Sequence, residues 1–426
     1  MSDARRIRAS DSQTLFWIQQ MRNPERCSAN VSSLVGFRES FDCDRFRAAV
    51  ALVMERHEIF RTAFDWGTGE LEQVVYERVA SPVTMIRIPG ESLSDKLLSD
   101  LTMHRFAHAD APLFRITIVE TPGRNRYVHM VAHHSIYDLH TQELFQSDLE
   151  RAYRGDTLEP VSAHYADFAL AEHLWKESAE ASRQREFWKS HTEAFPELHQ
   201  IPSRSAVAAG SVYVDMGAVL SARVRDFCIA NRTAVFLVVG AAYEIALSLW
   251  FRTRDFGLGV PFTNRRNPDV GDVAGCCMNI LPLRITIAPT DSFTSVLASF
   301  RRQMLVGHRN QELSILETLS LAGRPLYRFG FTADAPLHPK LDGCDSEPLD
   351  CPRPGALALF YHVEEDSDRG LVRIRADYSG EDLGPDDARR FSDHFLELLT
   401  RVLQDPLREI GSPEISPLLA PRLENV

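Results

Sequence analysis

Several signatures that would mark a particular class of protein are missing from this chain. Neither HExxH nor CxxC spacing occurs, so the sequence offers no ordinary zinc site and no metal is expected. It has no Lys/Arg-rich run, and the formal net charge is −12, so a nucleic-acid partner is not expected either. The seven cysteines are odd in number and do not make a disulfide framework. Reduced, mostly buried thiols are therefore the expected state.

Long apolar runs are also missing. The first residues, Met1 to Arg6, lead into no apolar segment, so we expect no signal peptide. The most apolar stretch, 234–250, includes Tyr243 and Glu244; it is too mixed to span a membrane and predicts a buried helix. The composition, 44% hydrophobic and 25% charged, is ordinary for a globular protein. Together these features predict a cytoplasmic protein without a membrane partner.

Helical and strand patterns alternate along both halves of the chain, which predicts an α/β fold. Amphipathic or apolar helical patterns and strand-like runs follow one another at 41–57, 72–76, 114–119, 234–250, 256–260 and 281–285. Two α/β halves of similar length predict two lobes, 1–195 and 196–426, with a cleft between them.

The most informative local pattern is the hexapeptide His133-His134-Ser135-Ile136-Tyr137-Asp138. A strand-like run precedes it and a helical pattern follows, so the pair is predicted to lie on a strand-to-helix loop. An imidazole there can take a proton from an attacking amine or hydroxyl, and the carboxylate can orient the loop or hold a cation. The alternative is an ordinary structural pair among the chain's 15 histidines.

Further strings accompany the histidine pair in order along the chain. SDSQTLFW at 10–17 resembles S-x-A-Q-x-R-L-W, with Leu15 in place of the arginine. RHEIFRTAF at 56–64 matches R-H-E-x-L-R-T-x-F almost fully, and YADFA at 165–169 matches Y-x-D-F-A. GVPFTNR at 259–265 and VAGCCMNILPLR at 273–284 resemble two later motifs. On these strings, with HHxxxD, the chain resembles the condensation domains of nonribosomal peptide synthetases, in the chloramphenicol-acetyltransferase-like superfamily.

The resemblance implies a V-shaped pseudo-dimer of two acetyltransferase-like lobes, with the histidine motif in a central tunnel. It also implies an acyltransferase whose donor and acceptor arrive on opposite faces as phosphopantetheine thioesters of acyl or peptidyl carrier proteins. The acceptor, an amine or a hydroxyl, attacks the donor carbonyl and forms an amide or an ester. No cofactor of its own is implied, since the phosphopantetheine belongs to the carrier protein.

The resemblance also implies roles for individual residues. His134 is the expected catalytic residue, either taking the acceptor's proton or holding the nucleophile by a hydrogen bond. His133 is expected to shape the loop, and Asp138 to brace it by pairing with Arg265. Asn279 matches a family asparagine near the site.

Leu139 departs from the family pattern, and the adjacent pair Cys276 and Cys277 could suggest a nucleophile. The family motif ends in glycine, where this chain has Leu139. A leucine there either narrows the tunnel, and so lines it, or shows that the loop runs in an ordinary conformation. Leucine in place of the family glycine puts the standard peptide-forming substrate pair in doubt. Cys276 and Cys277 lie in a strand-like motif and are expected to be buried small hydrophobes rather than nucleophiles.

The sequence is compatible with three functions. The first is a free-standing or excised condensation enzyme that acts on a carrier-bound or small-molecule acceptor in natural-product biosynthesis. The second is an acyl-CoA-dependent acyltransferase, although such relatives generally lack the RHExLRTxF string and the doubled histidine. The third is a non-catalytic condensation-like module that recruits partner proteins, which Leu139 suggests and the intact His134 and Asp138 oppose.

Overall fold

The computed structural model describes residues 4–38, 40–67, 69–123, 125–201, 207–334, 338–366 and 369–415. The helices are α1 Asp11–Arg22, α2 Cys43–Arg56, α3 Asp95–Thr102, α4 Leu139–Arg154, α5 Tyr165–Trp175, α6 Ala179–Glu193, α7 Gly217–Asn231, α8 Val235–Trp250, α9 Phe293–Arg309, α10 Ile315–Ala322 and α11 Pro385–Gln404. The strands are β1 Arg5–Arg8, β2 Asn30–Phe37, β3 Thr62–Trp66, β4 Leu71–Val75, β5 Val83–Arg87, β6 Phe114–Glu120, β7 Arg126–His133, β8 Gly210–Asp215, β9 Asp255–Phe262, β10 Asn279–Thr286, β11 Phe329–Asp334, β12 Ser346–Leu349, β13 Leu359–Asp366 and β14 Leu371–Tyr378.

The chain divides into two compact units. The first unit comprises Met1–Ser182, Thr263–Asn279 and Leu337–Pro354, and the second comprises Arg183–Phe262, Ile280–Pro336 and Gly355–Val426. The segments Thr263–Asn279 and Leu337–Pro354 thus belong to the first unit, although they are distant in sequence from Met1–Ser182. The two continuous lobes expected from the sequence, 1–195 and 196–426, remain a prediction, since units defined by internal packing need not coincide with lobes defined by a repeated chain pattern.

The first unit is built around a five-stranded sheet in the order β12-β2-β7-β6-β5, with a separate three-stranded sheet β1-β4-β3. Strand β7 pairs antiparallel with both β2 and β6, so its end is held from both sides. Helices α2 and α4 cover the sheet because apolar residues recur along one side of each, including Phe46, Val50 and Val53 on α2 and Phe145 and Leu149 on α4. This packing fixes both the strand and the helix between which the histidine motif lies.

Helix α4 has well-defined ends. Asp138 is its N-cap, and its side chain accepts a hydrogen bond from the backbone N–H of Thr141. At the other end Gly155 adopts φ 94°, a left-handed conformation that glycine reaches without a steric penalty. The helix therefore begins directly after the histidine motif and cannot shift along its axis without losing a cap.

The second unit contains a six-stranded sheet in the order β10-β9-β11-β13-β14-β8. Strand β11 runs parallel to β9 and β13, whereas β14 pairs antiparallel with both β13 and β8. Buried aromatic side chains join this sheet to its helices, with Tyr243 of α8 stacked on Tyr361 of β13 at 4.4 Å between ring centroids. The helical pattern at 234–250 is confirmed as α8, whose side chains are mostly buried.

Within the described ranges, no single helix has the length and apolar character needed to cross a membrane. Helices α7 and α8, bent by 109° at the break between them, meet that length and composition requirement only as a pair.

A buried network of charged groups lies on the sheet of the second unit. Arg375 of β14, 1% exposed, donates to Asp377 at 3.1 Å, to Glu364 at 3.0 Å and to Asp334 at 2.7 Å. His362 lies 3.0 Å from both Asp334 and Asp377. Burial by itself would lower the pKa of Arg375, but the surrounding carboxylates raise it well above its usual value. One guanidinium therefore holds three strands together through their carboxylates.

Replacing Arg375 with methionine should leave two buried carboxylates, Glu364 and Asp377, and the partly buried Asp334 without their common cation. We expect the free energy of unfolding to fall by roughly 3–5 kcal/mol, as when one partner of a buried ion pair is removed. Urea denaturation measures the loss. Arg373→Met is the matched control, because Arg373 is on the same strand and pairs with Glu364 but is partly exposed. This variant should lower the free energy of unfolding by no more than about 1 kcal/mol. Equal losses in the two variants would contradict the assignment.

Candidate functional site

The histidine motif lies where β7 ends and α4 begins, as the sequence predicted. His133 is the last residue of β7, and His134 opens a short 3-10 turn, His134–Ile136. Two backbone hydrogen bonds fix the pair, from the N–H of His133 to Leu113 at 2.9 Å and from the N–H of His134 to Ala29 at 2.7 Å. The backbone under both imidazoles is thus held by neighbouring segments.

His133 is fully buried and makes its bonds inward. Its Nδ1 accepts a hydrogen bond from the backbone N–H of Ser135 at 3.3 Å and lies 2.7 Å from the Ser135 hydroxyl. Its Nε2 lies 3.3 Å from Nε2 of His108. Because Nδ1 is an acceptor, the hydrogen of the neutral ring is on Nε2 and is donated to His108. Burial lowers the pKa of His133 well below its usual value, so the ring stays neutral. These contacts support a role in shaping the loop.

His134 is oriented differently and is only partly buried. Its ring stacks on Phe16 of α1, with 4.2 Å between centroids and 9° between planes. Its Nδ1 lies 3.7 Å from the sulfur of Cys276. Two contacts therefore restrain the imidazole, one on its face and one on its edge. Neither contact was foreseen from the sequence, although both residues belong to strings that resemble family motifs.

Asp138 joins the histidine loop to the segment 263–279. It is 6% exposed, and its carboxylate accepts from Nη2 of Arg265 at 2.9 and 3.1 Å. It also accepts from the backbone N–H of Cys277 at 3.1 Å and from the hydroxyl of Thr141 at 2.7 Å. The ion pair expected from the resemblance is thus present, and the same carboxylate caps α4.

Arg265 organises the segment on the other side of the ion pair. Its side chain is 7% exposed. Nη1 donates to the carbonyls of Gly271 at 3.0 Å and Val273 at 2.7 Å, and Nη2 donates to the carbonyl of Gly275 at 2.9 Å. Burial would lower its pKa, but the charge of Asp138 raises it. One planar cation therefore folds its own loop and fastens that loop to α4.

Gly275 permits a close approach that no other residue would allow. Its φ is 139°, and a Cβ there would lie 2.0 Å from Cδ2 of Tyr165. The Tyr165 hydroxyl donates to the carbonyl of Cys276, and the Ser10 hydroxyl lies 2.8 Å from the same Tyr165 oxygen. Ser12 donates to the carbonyl of Met278 at 2.7 Å. Residues of the family-like strings at 10–17 and 165–169 therefore contact the third string, 273–284, close to Cys276.

The two other residues expected at the site, Asn279 and Leu139, are each the first residue of a regular element. Asn279 is buried at the first position of β10. Leu139 is the first residue of α4 and is 38% exposed. Since Leu139 lies within a regular helix, the chain does not need glycine's conformational freedom there. This supports the ordinary-conformation alternative, while a role for Leu139 in lining a tunnel remains a prediction.

Cys276 and Cys277 are both fully buried. Burial raises the pKa of each thiol well above its usual value, so both remain protonated and unreactive at neutral pH. The structure therefore supports the expectation that neither is a nucleophile.

The RHEIFRTAF string stabilises the far half of α4. His57 Nε2 lies 2.7 Å from the buried carboxylate of Asp148, and Arg56 pairs with the same carboxylate. Arg61 donates to the backbone carbonyl of Met54 at 2.9 Å. These bonds are packing and ion-pairing contacts, which agrees with leaving this string out of the catalytic residues.

Replacing Arg265 with lysine keeps the charge but removes the planar donor geometry. A single ammonium cannot reach Asp138 and three carbonyls together, so we expect a loss of at least about 2 kcal/mol in the free energy of unfolding. Denaturant titration measures it. Arg266→Lys, at the exposed neighbouring position, is the matched control and should change stability by less than about 0.5 kcal/mol. A tolerated Arg265→Lys would show that charge alone suffices.

Buried histidines should make the stability of the protein depend on pH. Burial lowers the pKa of His108 and of His129 to about 4, against a usual value of 6.5. Between pH 6.5 and 4 the unfolded chain therefore binds more protons than the folded one, and stability falls as the pH falls. The slope should be about 1.4 kcal/mol per pH unit for each such histidine. Urea denaturation at a series of pH values measures it.

His108→Gln removes one of these groups and should make the fall shallower. If His108→Gln and the parent have the same slope, the neutral state assigned to His108 is wrong.

Known proteins resemble this chain both in sequence and in fold. The family model of the condensation domain matches residues 4–320. Tyrocidine synthase 3 of Brevibacillus parabrevis is 26% identical over 403 residues, covering 90% of this chain but only 6% of the synthase. The chain therefore spans a small part of this much longer relative.

Two solved structures show the same α/β fold. The first condensation domain of the calcium-dependent antibiotic synthetase, in complex with a substrate analogue, superposes with a TM-score of 0.84 at 16% identity, covering 97% of this chain and 99% of that one. The X-domain from teicoplanin biosynthesis, in its complex with OxyB, gives 0.82 at 19% identity and covers 97% of each chain. The fold class and the resemblance expected from the sequence are confirmed: this chain belongs to the condensation domain family.

Proposed function

We propose that this chain transfers an acyl group from a carrier-protein phosphopantetheine thioester to an amine or hydroxyl acceptor, forming an amide or an ester in natural-product biosynthesis. His134 is the residue on which the proposal rests. Its imidazole is partly exposed and held by Phe16 and Cys276, whereas the adjacent His133 is fully buried and directed inward. An imidazole whose orientation is fixed before the substrate arrives is what a positioned catalytic group requires.

The reaction is a substitution at the thioester carbonyl. The acceptor's nitrogen or oxygen forms a bond to the carbonyl carbon, the carbonyl oxygen gains negative charge, and the carbon–sulfur bond then breaks. The acceptor's proton leaves with the phosphopantetheine thiolate, so the products are the amide or ester and the free thiol. The chain supplies His134 to hold or deprotonate the acceptor, or to donate to the developing oxyanion. The phosphopantetheine is part of the substrate, and no cofactor is needed.

The other expected site residues support His134 without reacting. Asp138 and Arg265 keep the loop in place, and His133 fixes the backbone before the turn. Asn279 is a further supporting residue at the site, and Leu139 is a candidate for lining the tunnel. We assign Asp138, Arg265 and His133 to positioning, and His134 to the reaction itself as the one catalytic residue.

A carrier-bound donor is favoured over acyl-CoA. The chain carries the RHExLRTxF string and a doubled histidine, and its relatives include peptide synthetases of the kind named above. An assay that offers the same acyl group on a carrier protein and on CoA separates the two. A cytoplasmic location for this reaction, expected from the cysteines and composition, remains a prediction.

The second candidate function is recruitment of a partner protein without catalysis. The specific observation is the similarity to an X-domain whose structure is a complex with OxyB. Under this alternative the buried ion pairs would preserve a binding scaffold, and His134 would have no chemical role.

Replacing His134 with alanine should remove the catalytic group while preserving the ion pair between Asp138 and Arg265. We expect acyl transfer to fall by roughly 10²–10⁴-fold, with the unfolding transition little changed. Intact-mass spectrometry of an acyl-loaded carrier protein, incubated with the protein and a panel of amines and alcohols, measures the loss of the acyl group.

The control variant is His308→Gln, at an exposed histidine of α9, which should keep the parent's turnover. Loss of the acyl group with the parent and the control but not with His134→Ala, and with one acceptor class, would support the proposal. If His134→Ala performs as well as the parent, or if the parent binds the loaded carrier but turns over no acceptor, the recruitment function is favoured instead.

A further inference from the structure

Helix α9 of the second unit differs from the rest of the protein in its charge. The chain has 59 acidic against 47 basic residues, and every other helix in the described ranges contains at least one aspartate or glutamate. Helix α9 contains neither, although it carries Arg301, Arg302 and Arg309. It is therefore a basic helix in a protein whose formal net charge is −12.

The three arginines share one exposed face of α9 with two apolar side chains. All three are exposed, and Leu305 and Val306 are 56% and 40% exposed. Arg301, Leu305 and Arg309 follow one another at intervals of four residues, and Arg302 and Val306 form the adjacent row. Along the axis, the first and last arginines are about 12 Å apart. We call these five residues the α9 face.

The arginines of the α9 face make no ion pair with any residue that the structure describes. Other arginines of the same unit do. Arg284 pairs with Asp255 at 2.6 Å, and Arg328 pairs with Asp382 at 2.5 Å. The positive charge of the α9 face is therefore not neutralised by the described part of the chain.

The acidic residues that flank α9 in sequence are bound elsewhere. Asp291 accepts a hydrogen bond from the backbone N–H of Ala288 at 2.7 Å, and Glu312 accepts one from Gln184 at 2.7 Å. His308 is not part of the face, because its Nδ1 accepts from the neighbouring Gln311 side chain at 2.9 Å. The flanking side chains thus leave the α9 face open to an external partner.

The helix dipole explains only part of this arrangement. A cation in the last turn, such as Arg309, interacts favourably with the partial negative charge at the helix C-terminus. Arg301 and Arg302 lie two turns earlier, where that effect has faded. The dipole also gives no reason for Leu305 and Val306 to be exposed side by side between the cations. An apolar centre with a charged rim is instead the anatomy of a protein interface.

We propose that the α9 face is a docking surface for an acidic protein, and that this partner is the carrier protein of the acyl transfer. The surface is defined by its own residues, whereas the identity of the partner rests on the proposed function. A phosphopantetheine arm is joined to its protein through a phosphodiester, so a carrier presents negative charge beside the arm. Complementary charge of this kind guides two proteins into register, and apolar contact at the centre then holds them.

Binding of the carrier protein with its phosphopantetheine arm but no acyl group tests the surface without any chemistry. Fluorescence anisotropy of the labelled carrier measures the dissociation constant. Arg301→Glu combined with Arg302→Glu should weaken binding at least about tenfold, because like charges would then face each other. Leu305→Ser should weaken it about fivefold, as expected when an apolar contact is removed from the centre of an interface. Added salt should weaken binding of the parent more than binding of the double variant.

Arg389→Glu combined with Arg390→Glu is the matched control. These are also adjacent exposed arginines on a helix of the second unit, and the change in charge is the same, but α11 contains acidic residues and Arg390 pairs with Asp387 at 2.6 Å. The control should change the dissociation constant by less than about twofold. Ile229→Ser, at a 77% exposed position of α7, is the corresponding control for Leu305→Ser.

Unchanged binding in the α9 variants would overturn the proposal, as would an equal loss in the α11 control or a parent that does not bind the carrier. Vesicles of phosphatidylglycerol that bind the parent but not the double variant, with carrier binding unchanged, would make the face a lipid contact instead. If the double variant does not fold, Leu305→Ser decides the matter. Carrier binding through the α9 face without transfer to any acceptor would count against the proposed acyl transfer and not against the docking surface.

Discussion

The ion pair between Asp138 and Arg265 is the interaction on which the rest of the site depends. Asp138 caps α4, whose first turn follows the histidine motif, and Arg265 gathers the carbonyls of the segment that carries Cys276. Because both groups are buried, neither charge can exchange its partner for water at low cost. The imidazole of His134 lies between these two segments. The ion pair between Asp138 and Arg265 therefore helps to fix its position.

Burial lowers the pKa of the buried basic groups of this protein, and nearby carboxylates decide whether that effect is reversed. In the first unit, histidines without a carboxylate partner, such as His108 and His133, are kept neutral. On the sheet of the second unit, carboxylates surround Arg375 and raise its pKa well above the usual value, so the guanidinium stays charged. The protein therefore has a neutral polar network beside the histidine motif and a charged one on the other sheet.

The immediate surroundings of His134 are apolar and weakly polar. An aromatic ring lies on its face and a protonated thiol at its edge. Neither contributes a formal charge, so both restrain the imidazole through packing and weak polar contact.

The α/β class, the family and the strand-to-helix loop of His133 and His134 could be predicted from the amino-acid sequence, and the family resemblance implied the pairing of Asp138 with Arg265. These predictions were possible because strand and helix periodicity are local and because the ordered family-like strings are specific. The contacts of Phe16, Cys276 and Tyr165 could be seen only in the folded protein. They join segments separated by more than a hundred residues, and nothing in local spacing specifies which side chains meet. The composition of the two compact units was decided in the same way, because segments 263–279 and 337–354 pack with the first unit although they follow much of the second in sequence.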